Sequence, residues 1–198
     1  PEPAPDVFAT DEDAPVVIDL TANDDRGDGP ATVTLDSVPP TSQGILTYTD
    51  ADTGATVTVN PATPPAGLDP VEISTLTFTP APDYDGPVDP IIYTITDADG
   101  DSASSSATVS INALPDPVAD TFVTDEDTPL PIDLVGNDDT GDGLGTLTID
   151  ALPAPALGTP TYTNAAGSVV PVVAGTPLSP SEAATIVFSP AADVSGVV

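Results

Sequence analysis

The chain has 198 residues, of which 32 are Asp or Glu and only one, Arg26, is basic; Lys, His, Cys, Met and Trp are absent. With a net charge of −31, it offers no surface for nucleic acid, and no apolar run approaches the roughly 20 residues that span a bilayer. Catalytic triads, thiol nucleophiles, Schiff bases and zinc sites with nitrogen or sulfur ligands are also excluded. Carboxylate chemistry and the binding of hard cations remain open.

Short segments rich in Val, Ile and Thr predict β-strands, separated by clusters of Pro, Gly, Asp and Asn. About seven strands in about 100 residues are typical of an all-β, immunoglobulin-like Greek-key sandwich. No window has a sustained helical period with caps, so no helix is predicted. The predicted strands of the first hundred or so residues cover 16–20, 31–38, 44–50, 54–59, 74–80, 90–96 and 105–111.

An internal repeat divides the chain into two units. Residues 6–29 and 120–143 are identical at 16 of 24 positions, at an offset of 114 residues. We therefore predict one complete domain at 1–114, with a leading Pro-rich linker, and a second at 115–198. Residues 89–114 have no counterpart in the second unit, which predicts that this domain lacks its last two strands. The pattern indicates an excerpt of a longer tandem array.

A modest core of Val, Ile, Leu and Ala is predicted for each unit. Phe8 and Phe78 are expected to complete it in the first unit, and Phe122 and Phe188 in the second. Tyr93 lies in an alternating strand pattern where packing in the core is expected.

Acidic turns are the candidate metal sites. Of the 32 acids, 27 are Asp, whose short side chain suits both tight turns and compact oxygen cages. Clustered carboxylates repel one another unless a cation such as Ca2+, with about six to eight oxygen ligands, neutralises them. The candidate ligands are Asp11, Glu12, Asp13, Asn23, Asp24, Asp25, Asp97, Asp99 and Asp101, and in the second unit Asp125, Glu126, Asp127, Asn137, Asp138 and Asp139.

Strand counting gives an expected grouping of these turns. In a Greek-key sandwich the start of the chain and the final hairpin lie at one end, so residues 11–13 are expected near residues 97–101. The turn at 23–25 is then expected at the opposite end, facing the second unit. Asp116 and Asp120 are candidate linker ligands of a further ion between the two domains.

Three other interpretations of the acidic turns are weaker or compete with metal binding. Asp is common in turns without any metal, because it caps them and tolerates strained dihedral angles. Residues 26–28 spell the cell-attachment tripeptide Arg-Gly-Asp, but Thr140 replaces the arginine in the repeat, so the Gly-Asp-Gly turn is what recurs. Paired carboxylates can hydrolyse glycosides, yet no Trp is present to stack a sugar. No enzymatic activity is predicted.

Three motifs in combination resemble a known family. TDEDxPxxIDLxxND, LTFTPxPDYDG and YTITDADGDSASSSATVSI are similar to the cadherin-like, immunoglobulin-like tandem repeats of giant bacterial surface adhesins, among them RTX-type and biofilm-associated proteins. The resemblance implies calcium at domain edges and linkers and secretion to the cell surface. It fits the candidate ligands Asp11, Asp13, Asn23, Asp24, Asp97, Asp99, Asp101, Asp125, Asp127, Asn137 and Asp138.

The resulting hypothesis is a calcium-stiffened extracellular spacer of a bacterial surface adhesin or filament, which supports adhesion or biofilm formation. Its expected partners are neighbouring repeats of the same chain or like chains in a filament. One alternative is direct binding of a glycan, ice or a host receptor. Another is a filament subunit completed by strands from a neighbouring chain.

Overall fold

Strands make up most of the regular structure of the computed structural model, which describes residues 1–194. The chain divides into two compact units, Pro1–Ala113 and Leu114–Val198. The all-β, immunoglobulin-like fold class is confirmed. The last four residues of the predicted second domain lie outside the described part. In that described part, no helix is long and apolar enough to cross a membrane.

The first unit is a sandwich of two four-stranded sheets. One sheet has the order β1-β8-β7-β3 and the other has the order β2-β6-β4-β5. All seven predicted strands are present, with shorter bounds for several of them. The strands are β1 (Asp6–Asp11), β2 (Val16–Val17), β3 (Thr32–Ser37), β4 (Gly44–Thr49), β5 (Thr56–Thr58), β6 (Thr77–Pro80), β7 (Ile91–Thr96) and β8 (Ser102–Asn112).

Alternating side chains explain how these strands bury a core. In β7, Ile91, Tyr93 and Ile95 are fully buried, while the residues between them are only half-buried. This is the period of two expected for a strand with one apolar face. Phe78 of β6 is also fully buried. Its ring lies so close to Gly44 that a Cβ placed there would be 2.4 Å from Phe78 Cζ, so β4 needs glycine at this position.

Strand β1 is a structural element that the sequence pattern did not predict. It pairs in parallel with β8, from Asp6 opposite Ala107 to Asp11 opposite Asn112. Its partner is about 100 residues away in the sequence, and only Phe8 and its alternating neighbours hint at a strand. Asp6, the last residue of the segment that resembled a linker, is therefore the first residue of a sheet strand.

Two one-turn helices contradict the prediction that the chain has none. They are α1 (Pro70–Ile73) and α2 (Pro180–Ala183). Each begins with a capping box: Asp69 with Glu72, and Ser179 with Glu182. The sequence signal was the same in both units, an N-cap residue followed by Pro and then, three positions after the cap, by Glu. Both helices are too short for a hydrophobic period to reveal them.

The second unit keeps one sheet of the sandwich and little of the other. The strand order β12-β11-β14-β9 reproduces β5-β4-β6-β2 of the first unit. Within residues 114–194, the other strands of this unit form only the two-stranded pair β10-β13. The strands are β9 (Leu130–Pro131), β10 (Leu147–Thr148), β11 (Gly158–Thr163), β12 (Val169–Pro171), β13 (Pro177–Leu178) and β14 (Val187–Pro190).

The core of the second unit is correspondingly small. Its fully enclosed cluster consists of Leu178, Ala183 and Ile186. Phe188 is half-buried, and Phe122 is 39% exposed. The predicted core position of Phe122 is therefore wrong, because no strand covers it within residues 114–194.

Candidate functional site

The acidic turns of the first unit lie at two opposite ends of the sandwich. We call the end with residues 97–101 the hairpin end, because these residues join β7 to β8. Strand β8 runs from there over 11 residues to Asn112, which is about 36 Å at the rise of an extended strand. We call the end with Asn112 the far end.

The two ends collect different turns from those predicted. Glu12 N donates to Asn112 O at 3.0 Å, which places residues 11–13 at the far end. Ala98 N donates to Asp28 O at 3.1 Å, which places the turn at 23–28 at the hairpin end. The predicted grouping of residues 11–13 with Asp97, Asp99 and Asp101 is therefore wrong. The start of the chain does lie at the hairpin end. Strand β1 then runs to the far end, where Asp11 lies opposite Asn112.

At the far end, aspartates shape the backbone. Asp13 and Asp83 both have a left-handed backbone, with φ of 57° and 53°. Asp83 N donates to Asp13 Oδ1 at 3.2 Å, and Asn112 Nδ2 donates to Asp11 Oδ1 at 3.0 Å. The second unit repeats the arrangement: Asp127 and Asp193 each have φ of 57°, and Asp193 N donates to Asp127 Oδ1 at 3.2 Å.

At the hairpin end, Asp97 closes its own turn. Its Oδ1 accepts hydrogen bonds from Asp99 N at 3.1 Å and from Asp101 N at 2.9 Å. The Asp97 side chain is 5% exposed, and a Cβ on Gly27 would come within 2.6 Å of its Oδ2. Asp99 and Asp101 are exposed. Asp97 is therefore enclosed by its own turn and by Gly27, unlike the other two aspartates of the hairpin.

The turn at 23–25 binds the leading segment of its own unit. Asp25 and Glu2 exchange two backbone hydrogen bonds, of 2.8 and 3.3 Å. Asp24 Oδ1 accepts from Ala4 N at 2.6 Å, and Asn23 Nδ2 donates to Pro5 O at 3.3 Å. We call this set of contacts the clasp.

The second unit has the same clasp. Asp116 and Asp139 exchange backbone hydrogen bonds of 2.9 and 3.1 Å. Asp138 Oδ1 accepts from Val118 N at 2.7 Å, as Asp24 does from Ala4. Asp116, predicted as a linker ligand between domains, thus has its backbone bound within its own unit. Asp120 is half-buried, and Asp125, Glu126, Asp127 and Asn137 are exposed.

A buried polar cluster lies beneath the clasp of the first unit. The Tyr93 hydroxyl lies 2.9 Å from Asp6 Oδ2, 3.1 Å from Asp24 Oδ2 and 3.2 Å from Ala4 O. A phenol carries one hydrogen, so it serves the nearest acceptor, Asp6, most directly. Asp6 is only 6% exposed. The leading segment is therefore held by the core strand β7 as well as by the turn.

The environment of this cluster shifts two pKa values. Burial raises the pKa of Asp6 above its usual 3.8, and the nearby charges of Asp24 and Asp19 raise it further, while hydrogen bonds from Tyr93 and Asn23 oppose the rise. Burial also raises the pKa of Tyr93, helped by its hydrogen bond to Asp6. Tyr93 therefore remains a hydrogen-bond donor.

Sequence reasoning missed Asp6 and Asp19 and placed Tyr93 only in the core. One signal was available: a tyrosine at a fully buried strand position needs a partner for its hydroxyl. The partner could not be identified without knowing that β1 lies beside β8. Asp6 was matched to Asp120 in the repeat, yet it looked like part of a linker.

The oxygen atoms at both ends of the sandwich are of the kind that binds a hard cation, but they are not grouped as a metal site. The available ligands are carboxylate and carbonyl oxygens, which Ca2+ prefers. Among residues 1–194, however, no group of three or more acidic side chains is placed to hold a metal ion. The predicted ligands that instead accept hydrogen bonds from backbone amides include Asp13, Asp24, Asp25, Asp97, Asp127, Asp138 and Asp139. Calcium binding therefore stays a prediction.

Comparison with known proteins identifies a family for the first unit. The model of a family described as bacterial Ig domain matches residues 1–112, which is more than half of the chain. A search of curated proteins found no match.

Replacing Asp13 tests whether it is needed for its backbone geometry. Ala at a left-handed position costs roughly 1–2 kcal/mol and loses the bond to Asp83 N, so we expect Asp13→Ala to lower the free energy of unfolding in urea without calcium. Asp13→Asn keeps an acceptor oxygen and a residue that tolerates this geometry. It should be close to the wild type. Equal destabilisation by Ala and Asn would contradict this role.

Replacing Asp6 tests the buried carboxyl. The pKa of Asp6 is raised in the folded state. The protonated carboxyl therefore contributes fully to stability below the usual pKa of 3.8, and this contribution is lost as the pH rises through the raised pKa. Asp6→Asn removes this loss. We therefore expect the free energy of unfolding of the variant, relative to that of the wild type, to increase as the pH is raised from about 3 to about 7. Urea unfolding at each pH measures this difference.

The control for this experiment is Asp99→Asn, which removes the same charge from an exposed position in the first unit. As the pH rises, Asp6→Asn should gain more stability relative to wild type than this control does. A difference between Asp6→Asn and wild type that is flat with pH, or that falls as the pH rises, would contradict the account of the Asp6 cluster.

Proposed function

Because the chain belongs to the bacterial Ig domain family, we propose that it is a non-catalytic spacer of a bacterial surface protein, which holds other domains away from the cell. Domains of this family are typically exposed at the bacterial surface and are generally structural rather than enzymatic. The proposal adds a specific role, in adhesion or biofilm formation, to that general one.

The direction of the chain through the first unit is the observation that supports this role most directly. The leading segment lies at the hairpin end, where Glu2 pairs with Asp25. The last strand, β8, ends at Asn112 at the far end. A domain that the chain enters at one end and leaves at the other adds its full length to a tandem array. Force applied along the array would then act along the β1–β8 pair.

The clasp supports the same role. It makes the leading segment part of each folded unit, so that only residues 113–115 lie between the end of β8 and the Asp116–Asp139 pair. A short connection of this kind loses little entropy when the array is extended, whereas a long flexible linker would first have to be stretched. The hydrogen bonds that Asp24 and Asp138 accept from the leading segments of their units are equivalent. This similarity suits a spacer whose repeats are all connected in the same way.

Calcium is a separate part of the proposal. It is supported by the charge of −31 with a single basic residue and by the repeated acidic turns. The self-repulsion of such a charge destabilises a compact chain, and a divalent cation that binds only the folded state would relieve it. Binding would require the carboxylates at one end to leave their amide partners and move together.

If the chain is a spacer, it should bind glycans and host cells weakly or not at all. We expect the 198-residue chain to show no saturable binding to a glycan array or to cultured host cells, beyond that of an equally acidic control protein. Arg26→Thr, which converts the Arg-Gly-Asp tripeptide into the Thr-Gly-Asp of the repeat, should bind equally little. Saturable binding by the wild type would contradict the spacer role, and its loss in Arg26→Thr would assign recognition to the tripeptide.

Thermal unfolding tests the calcium proposal. At a free calcium concentration about 100 times the dissociation constant, binding to the folded state adds ~2.7 kcal/mol, so the unfolding midpoint should rise with calcium. Sodium chloride at matched ionic strength should raise it far less, because screening lacks specific ligands. Equal shifts of the unfolding midpoint in the two salts would show that calcium acts only by screening charge. That result would contradict the calcium proposal but not the spacer role.

A further inference from the structure

An acidic residue precedes proline at four places in the chain. Three are Asp–Pro bonds, at residues 69–70, 89–90 and 116–117, and one is a Glu–Pro bond, at residues 2–3. Asp–Pro bonds are labile in mild acid, because the side-chain carboxylate can attack the carbonyl carbon of its own residue and displace the proline nitrogen. In a folded chain, such a bond breaks most readily where the carboxylate is free to attack and the carbonyl group is polarised by a hydrogen bond.

At the bond between Asp69 and Pro70, the carbonyl group is polarised but the carboxylate is occupied. Asp69 O accepts a hydrogen bond from Ile73 N at 3.0 Å. Asp69 Oδ1 caps helix α1 and accepts from Val71 N at 2.8 Å and from Glu72 N at 2.9 Å. An attack by this carboxylate would break both bonds of the cap, so the helix protects the Asp–Pro bond.

At the bond between Asp89 and Pro90, the carboxylate is free but the carbonyl group is not polarised. Asp89 is exposed, and its side chain accepts no hydrogen bond from residues 1–194. Asp89 N donates to Gln43 Oε1 at 2.8 Å. Its carbonyl oxygen, however, accepts no hydrogen bond within the described part of the chain.

The bond between Asp116 and Pro117 meets both conditions. Asp116 is exposed, and among the described residues none donates a hydrogen bond to its carboxylate. Asp139 N donates to Asp116 O at 3.1 Å, and an amide in this position stabilises the negative charge that develops on the oxygen during attack. Glu2 O accepts from Asp25 N at 3.3 Å in the same way. The longer side chain of Glu2 would have to close a larger ring, which makes its attack slower.

We infer that the bond between Asp116 and Pro117 is a self-cleavage site of the folded chain. The Asp116 carboxylate attacks its own carbonyl carbon, and Asp139 N–H stabilises the resulting oxyanion. The bond from this carbon to the Pro117 nitrogen then breaks, and the nitrogen takes a proton from the acidic solvent. One water molecule hydrolyses the cyclic anhydride that remains on Asp116. The net reaction consumes one water and involves no oxidation or reduction.

The products of this cleavage suit the structure on both sides of the bond. The last strand of the first unit, β8, ends at Asn112, so its sandwich is left whole. The new ammonium group of Pro117 lies next to Val118, whose N–H donates to Asp138 Oδ1 at 2.7 Å. A positive charge near this carboxylate is favourable. In the proposed spacer, cleavage would divide the array between two repeats; this consequence rests on the proposed function, but the cleavage itself does not.

The test follows the mass of the intact 198-residue chain during incubation in mild acid. The pH is about 4, near the pKa of free aspartate, or the lowest pH at which circular dichroism keeps its neutral-pH signal. We expect fragments 1–116 and 117–198 to form at least about fivefold faster than the fragments from the bond after Asp89, the effect of one ordinary hydrogen bond. The bond after Asp69 should be cleaved most slowly of the three.

Three comparisons separate the role of the fold from that of the dipeptide. Concentrated urea at the same pH removes the hydrogen bonds, so all three Asp–Pro bonds should then be cleaved at similar rates. Asp116→Glu keeps the charge but lengthens the side chain, and it should abolish the fast cleavage of the folded chain. The matched variant Asp89→Glu should leave cleavage after Asp116 unchanged.

Several results would overturn the inference. Equal rates after Asp89 and Asp116 in the folded chain would show that the hydrogen bond from Asp139 N has no effect. Faster cleavage after Asp116 in urea as well would assign the preference to the local sequence instead of the fold. Absence of cleavage after Asp116 in the folded chain would show that the site is protected. None of these results bears on the spacer role, which the binding experiments above test separately.

Discussion

The β7–β8 hairpin is the constraint on which the rest of the sandwich depends. It supplies the central strands of one sheet, buries Tyr93 and Ile95 in the core, and gives β1 its only strand partner in the described part of the chain. Through the Tyr93 hydroxyl it also fixes the leading segment at Asp6. The second unit makes this dependence visible, because its residues 120–125 carry nearly the same sequence pattern and form no strand there.

The acidic residues act mainly through short-range geometry in the described structure. Asp13 and Asp83 occupy left-handed positions that most side chains avoid, and Asp24, Asp25 and Asp97 accept hydrogen bonds from backbone amides. An amide bonded to a carboxylate forms a stronger hydrogen bond than one between neutral groups. This explains how turns can be rich in Asp without any group of three carboxylates placed for a metal among residues 1–194.

The sequence predicted most of the strands, because alternation of Val and Ile with Thr is a local signal. The repeat is also visible in the sequence alone. The sequence did not predict the one-turn helices, nor β1, whose pairing with β8 joins residues 101 positions apart, such as Asp11 and Asn112. The wrong assignment of residues 11–13 to the hairpin end followed from missing β1. The Asp6–Tyr93 contact could not be predicted from the sequence for the same reason.

The central claim is that strand formation at the start of each unit depends on the hairpin and not on the local sequence. Native-state hydrogen exchange of the unmodified 198-residue chain tests this most directly, by comparing residues 6–11 with residues 120–125. The account predicts strong protection of the first segment and rapid exchange of the second. Similar protection of both segments in the monomeric chain would contradict it.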